Sequence, residues 1–138
     1  MIGLDTNVLA RYYVEDSTDP QAAKQRLAAR RLIESGQALM VCKTVVLELE
    51  WVLRGYYRFE PAEVAAVLGH LLGLAHVTVE DRPAVERALR NLAAGLDFAD
   101  ALHHASYVAC SRVASFDDRR FARRAGKLGL LPGVDLPR

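Results

Sequence analysis

Cysteine is too scarce in this chain to build a disulfide framework. There are two in 138 residues, Cys42 and Cys110. Each lies in an apolar stretch, and neither has a second Cys at metal-ligand spacing. That pattern predicts buried free thiols in a reducing compartment. Histidine is also sparse, at four residues, and no His or Cys arrangement suggests zinc. His103 and His104 are adjacent, so on a helix they point in different directions. Net charge is almost absent, at +1, so no global basic field announces a polyanionic partner. Walker-type and dinucleotide glycine patterns are missing, as are repeats, low-complexity tracts and linkers. The most apolar region, residues 64–79, is broken by His70, His76 and two glycines and is too short and mixed to span a bilayer. The amino terminus lacks a basic segment followed by a long apolar one, and Asp5 interrupts it, which argues against a signal peptide. The absences leave a single domain, 1–138, expected in the cytoplasm with no membrane partner. At 51% hydrophobic and 25% charged, it has the composition of an ordinary globular chain with a real core.

What the chain does have is alternation. Ile2 and Leu4 suit a short buried strand that Asp5 ends abruptly, and residues 7–14 read as a short helix. Ser17-Thr18-Asp19-Pro20 starts a second helix, which runs to about Glu34 and stops at Ser35-Gly36. Residues 39–42 form an apolar strand, and Thr44 caps a helix to about Tyr57. Glu60-Pro61 opens a helix ending near Gly73, and His76–Val79 alternates as a third strand. Asp81 caps a helix from about Pro83 to Ala94, stopped by Gly95. Asp97 starts another, to about Cys110. Residues 112–116 form a fourth strand, and Asp117-Asp118 opens a last helix to Lys127. Val134 and Leu136 suit a small fifth strand at the edge. Strands alternating with helices predict an α/β fold: a three-layer α/β/α sandwich around a central parallel sheet of four to five strands. Right-handed crossovers place the carboxyl ends of the strands on one side, where open α/β sheets bind ligands.

Acidic residues recur at that side. Asp5 follows the first strand. Glu48 lies one turn into the helix after the second, grouped by helical spacing with Val45, Leu49 and Val52 on a mostly apolar face. A carboxylate there is costly unless paired or bound to a cation, whereas Glu50 reads as solvated. Asp97 and Asp100 share the first turn of a later helix, with Asp97 the better cap and Asp100, between Ala99 and Ala101, the better inward group. Asp117 follows the fourth strand. Each is explicable alone as a helix cap or a dipole-stabilised anion. Together they would repel and protonate unless a cation neutralised them. An all-oxygen cluster of this kind suits Mg²⁺ or Mn²⁺, one ion or two, and such an ion activates water and stabilises charge on a phosphodiester. Thr6 and Asn7 are placed to orient Asp5 or a metal-bound water by hydrogen bonds, and Ser115, near the end of the fourth strand, to do the same.

Leu4-Asp-Thr-Asn-Val-Leu9, Leu47-Glu-Leu-Glu-Trp-Val-Leu53, Asp97-Phe-Ala-Asp-Ala-Leu102 and Ser115-Phe-Asp117 occur in that order. This set resembles the PIN-domain ribonucleases, and most closely the VapC-type toxins of prokaryotic toxin–antitoxin pairs. The resemblance covers nearly the whole chain and rests on the four motifs together. It implies a compact α/β/α fold and a Mg²⁺- or Mn²⁺-dependent endoribonuclease. The family's acidic quartet falls on Asp5, Glu48, Asp100 and Asp117, with Asp97 as a secondary candidate near the metals. It also implies a homodimer and inhibition by a small VapB-like antitoxin with a DNA-binding half and a segment that covers the active site. The chain departs from the family in Asp118, where a Lys or Arg is common after the last acid.

RNA and partner surfaces are less sharply marked. Arg119, Arg120, Arg123, Arg124 and Lys127 form a basic run on the last helix, suited to phosphates or simply to water. Arg11 and Tyr12 follow Asp5 closely enough to position a nucleotide by charge and stacking. Val46, Trp51, Leu53, Tyr56, Tyr57, Val67, Leu71 and Leu72 divide between core and a subunit or antitoxin interface. Two other classes compete. A haloacid-dehalogenase-like phosphohydrolase also places an Asp after its first strand, but needs a second Asp two residues on, where this chain has Asn7. A non-catalytic α/β protein-binding domain leaves Glu48 and Asp100 without a purpose.

Overall fold

The computed structural model describes residues 1–138 and comprises two compact units, Met1–Arg82 and Pro83–Arg138. The first unit begins with strand β1 (Ile2–Gly3), then helices α1 (Thr6–Tyr13) and α2 (Ala22–Ile33). Strand β2 (Leu39–Val41) leads into helix α3 (Lys43–Trp51), which widens into a π-helical turn over Val52–Tyr56. Helix α4 (Pro61–Leu72) and strand β3 (Val77–Val79) complete it. The second unit carries α5 (Arg82–Ala93, starting at the boundary), α6 (Phe98–Ser106), β4 (Arg112–Ala114), a π-helical turn over Asp118–Ala122, α7 (Arg123–Lys127) and β5 (Gly133–Asp135).

Every strand pairing is parallel, as the alternation of strands and helices requires. The chain is α/β, but the expected single sheet of four to five strands is corrected to a three-stranded sheet, β1-β2-β3, and a separate pair, β4-β5. The ladders are very short. Ile2 pairs with Leu39 and Gly3 with Met40, while β2 and β3 share three positions. β4 finds its partner through Val113 opposite Val134. With two or three residues per strand, few ladder bonds tie any strand into a wider sheet. Within its sheet β1 is an edge strand. Leu4 is closed over, but Ile2 stays 39% exposed, so the reading of both as buried holds for Leu4 alone.

Side-chain periodicity explains the core of the first unit. β2 and β3 bury alternate residues, Leu39 and Val41, then Val77 and Val79. Leu9, Ile33, Val46, Leu49, Leu53, Leu68 and Leu71 supply the helical contribution, each stabilising by roughly 1.5–3 kcal/mol relative to exposure. Helix α1 packs on both α2 and α3, which brings the start of α1 beside α3. Helix α3 does not take its cap from Thr44, which is exposed. It starts at Lys43, whose backbone N–H donates to Glu80 Oε1 at 2.7 Å, while Lys43 Nζ pairs with Asp81 at 2.9 Å. A carboxylate from beyond β3 therefore serves the helix after β2.

In the second unit Leu96, Phe98, Ala101, His104, Val113, Phe121 and Ala125 are buried. Helix α6 ends at Ser106, earlier than the expected Cys110, with Tyr107 N–H bonded back to His104 O at 3.0 Å. Cys110 therefore lies in a turn and is exposed, and Cys42 is half-buried. Both thiols are free, but the expectation that both are buried is overturned.

Candidate metal-binding residues

Asp5 occupies the N-cap of α1, and its Oδ1 accepts the Thr6 backbone N–H at 2.8 Å. Leu4 N–H bonds Met40 O at 2.9 Å, so the sheet fixes the residue immediately before the carboxylate. Thr6 is 5% exposed. Its hydroxyl donates to Glu48 Oε1, across the packing of α1 on α3. The hydroxyl expected to orient Asp5 thus orients Glu48, while the same residue's amide holds Asp5. One buried threonine tethers two acids that lie 43 positions apart in the chain.

The burial expected of Glu48 falls on its neighbour instead. Glu48 is exposed, and Glu50 is the buried acid, 3% exposed, with its carboxylate 2.8 Å from Arg54 Nε. The buried stripe of α3 and the turn after it is Val46, Leu49, Glu50 and Leu53, an i, i+3, i+4, i+7 series, so helical spacing is compatible with it as well as with the face through Val45, Glu48, Leu49 and Val52. The signal in the sequence is Arg54, four residues after Glu50, since a buried carboxylate needs a partner and an i,i+4 arginine supplies one.

The second unit holds the other acids. Asp97 caps α6 and accepts the Asp100 N–H at 3.3 Å. Asp100 is half-buried in the first turn. Desolvation, above any single neighbour, raises its carboxyl above the ordinary carboxylate range. The negative charges of Asp97 and Asp117 raise it further, against opposition from His103 and Arg124. Asp117 caps the π-helical turn, accepting Arg120 N–H at 3.0 Å, and its own N–H is held by Ser115 Oγ at 3.1 Å. Ser115 therefore fixes the turn that presents Asp117. Asp118 differs, lining a pocket with Arg112 and Arg123. Asp117 is thus the acid of the pair that acts on Asp100.

Other candidates fall elsewhere. Asn7 is exposed and lines a groove with Val8 and Arg11. Arg11 is already engaged by Asp19, Asp16 and Gln25 Oε1. Tyr12 bonds Glu34 at 3.2 Å. Arg119 and Arg120 are exposed on the π-helical turn. His104 is buried, with Nε2 on Pro132 O at 2.7 Å and Nδ1 unpartnered, and His103 is exposed.

Neither unit by itself gathers three or more His, Cys, Asp or Glu side chains close enough to hold an ion. The donor chemistry nonetheless fits a hard cation. All the candidates are carboxylates, and Asp100 carries a local excess of negative charge and a desolvation penalty that a cation would relieve. The PIN domain family model matches residues 2–127. The chain belongs to the PIN-domain family. The PIN fold is a nuclease fold, generally dependent on divalent metal ions, and the match spans both compact units. No curated protein matches this PIN domain. None of its helices is long and apolar enough to cross a membrane.

Proposed function

We propose that this PIN domain is a Mg²⁺- or Mn²⁺-dependent endoribonuclease and the toxin of a type II toxin–antitoxin pair. The observation that carries the reading is that the family match contains all four acids of the quartet, Asp5, Glu48, Asp100 and Asp117, on separate elements. These four would hold the ion, one or two in number, with Asp97 in support. When bound, the metal supplies a Lewis acid that lowers the pKa of water and neutralises charge on the phosphodiester. Thr6 keeps Glu48 in one orientation, and the Thr6 amide does the same for Asp5. Ser115 and the Arg120 amide hold Asp117 from its two sides. Single-stranded segments are the expected substrate, because unpaired nucleotides can be splayed out for reading and attack. The partner reading, a VapB-like antitoxin and a second copy of the chain, draws support from exposed aromatics. Trp51 is 60% and Tyr56 67% exposed, whereas Val46, Leu53, Leu71 and Leu72 are core.

Purified protein incubated with cellular RNA should cut it in Mg²⁺ or Mn²⁺ and stop when a chelator is added. Asp5→Ala or Asp100→Ala should abolish cutting; undiminished cleavage in either variant would defeat the assignment. The toxin role predicts a short upstream open reading frame whose product co-purifies. Harmless expression of the domain without that neighbour would count against it.

A further inference from the structure

The second unit contains a concavity that the acidic quartet does not use. It encloses about 600 Å³ between the β4-β5 pair and the turn into α7, within the size range of small-ligand sites. Its charged lining is Arg112, Arg123, Arg138, Asp118 and Asp135. Among the side chains, three guanidinium groups face two carboxylates there. Arg112 is held only loosely, 3.6 Å from Asp135, with both side chains more than half exposed. Such a pair contributes little and yields readily to a stronger anion. Arginine forks lining a concave site suit the charge and the planar hydrogen-bonding of a phosphate.

We propose that this pocket is a backbone-phosphate subsite for the RNA strand, with Arg112 and Arg123 as its principal donors. The assignment rests on the nuclease reading above in one respect, the choice of RNA as the anion's source. Asp118 lines the pocket and is the residue next to Asp117. A polynucleotide whose scissile phosphate lies at Asp117 carries its neighbouring phosphates past the adjacent residues. On the other side of Asp117, Phe116 is 82% exposed at a turn closed by Asp118 N–H to Phe116 O at 3.0 Å, a ring open to base stacking. Asp135 then acts as a placeholder for Arg112 until phosphate displaces it.

The test measures binding alone, in an Asp100→Asn background that keeps RNA intact. A fluorescein-labelled ten-nucleotide oligouridylate is titrated by anisotropy over a range of KCl concentrations. Arg112→Ala combined with Arg123→Ala should weaken binding about tenfold and flatten the salt dependence by about 0.7 for each phosphate that is no longer neutralised. Asp135→Asn should tighten binding severalfold, an effect that damaged folding does not mimic. Unchanged affinity and slope in a double variant with a normal melting curve overturn the proposal. If that variant fails to fold, unchanged affinity in Asp135→Asn overturns it instead. Tighter binding of polyglutamate than of the oligonucleotide, abolished in the same variants, would reassign the pocket to an acidic protein segment. The nuclease reading fails separately, if the wild-type protein with Mn²⁺ cuts no RNA while the binding pattern stands.

Discussion

Thr6 and Asp100 show how single side chains set the candidate site. The Thr6 hydroxyl is buried and bonded to an anion, an interaction of about 1.5–3 kcal/mol in mutational series. Thr6→Val should leave the fold intact but release Glu48. RNA cleavage should fall at least several-fold, with Thr6→Ser restoring most of it; equal rates for all three would remove Thr6 from the positioning of Glu48. Asp100 is disfavoured as an anion, first by burial and then by Asp97 and Asp117. In metal-free protein its ionisation opposes folding, so this contribution to stability is present at low pH and lost as pH rises through the raised folded value. Asp100→Asn should therefore raise Tm at neutral pH while abolishing cleavage, and a lowered Tm would contradict that electrostatic account. At Glu50 the expectation runs the other way. Arg54→Ala leaves a buried carboxylate without its ion pair, and because Arg54 is half-exposed the loss should be about 1–2 kcal/mol by denaturant titration.

The segment between α1 and α2 is organised by carboxylates at the level of elements rather than by an apolar core. Asp16 is lowered below the ordinary carboxylate range by the Thr18 hydroxyl and amide, then by Tyr57 and Arg11. Asp19 is lowered by the Gln21 amide and then Arg11. Depressed folded values mean stability that is present above about pH 4, the usual unfolded Asp value, and lost as pH falls through them. Amide exchange in residues 14–21 should accelerate below that pH before the rest of the first unit opens, and uniform exchange would contradict it. The loop before α6 depends instead on backbone geometry. Gly95 has φ +104° and open space where a Cβ would stand, so Gly95→Ala meets no clash and should destabilise through conformation alone, by about 1–2 kcal/mol. The helices were legible because their apolar spacing, prolines and terminal glycines act locally. The switch to π-helical turns at Val52–Tyr56 and Asp118–Ala122 was not, since an extra residue per turn leaves no compositional mark.

Metal linkage belongs to the molecule as a whole. An ion that binds only the folded state stabilises it by mass action. Mn²⁺ should therefore raise Tm in the wild type and raise it much less in Asp5→Ala or Asp100→Asn. An equal rise in all three would place the ion elsewhere. The order of short apolar runs and amphipathic stretches was enough to establish an α/β chain, and four acidic motifs in sequence were enough to single out the PIN family. These follow from local rules: side chains alternate along strands, recur every three to four residues along helices, and caps form between near neighbours. That Thr6 serves Glu48, that Glu80 caps α3, and that Asp118 turns to an arginine pocket while Asp117 acts on Asp100 were settled by packing between distant segments. A side chain's type reports what it can bond to. Its partner depends on which surfaces the folded chain brings into contact, and residues far apart in the chain carry no record of that in their spacing.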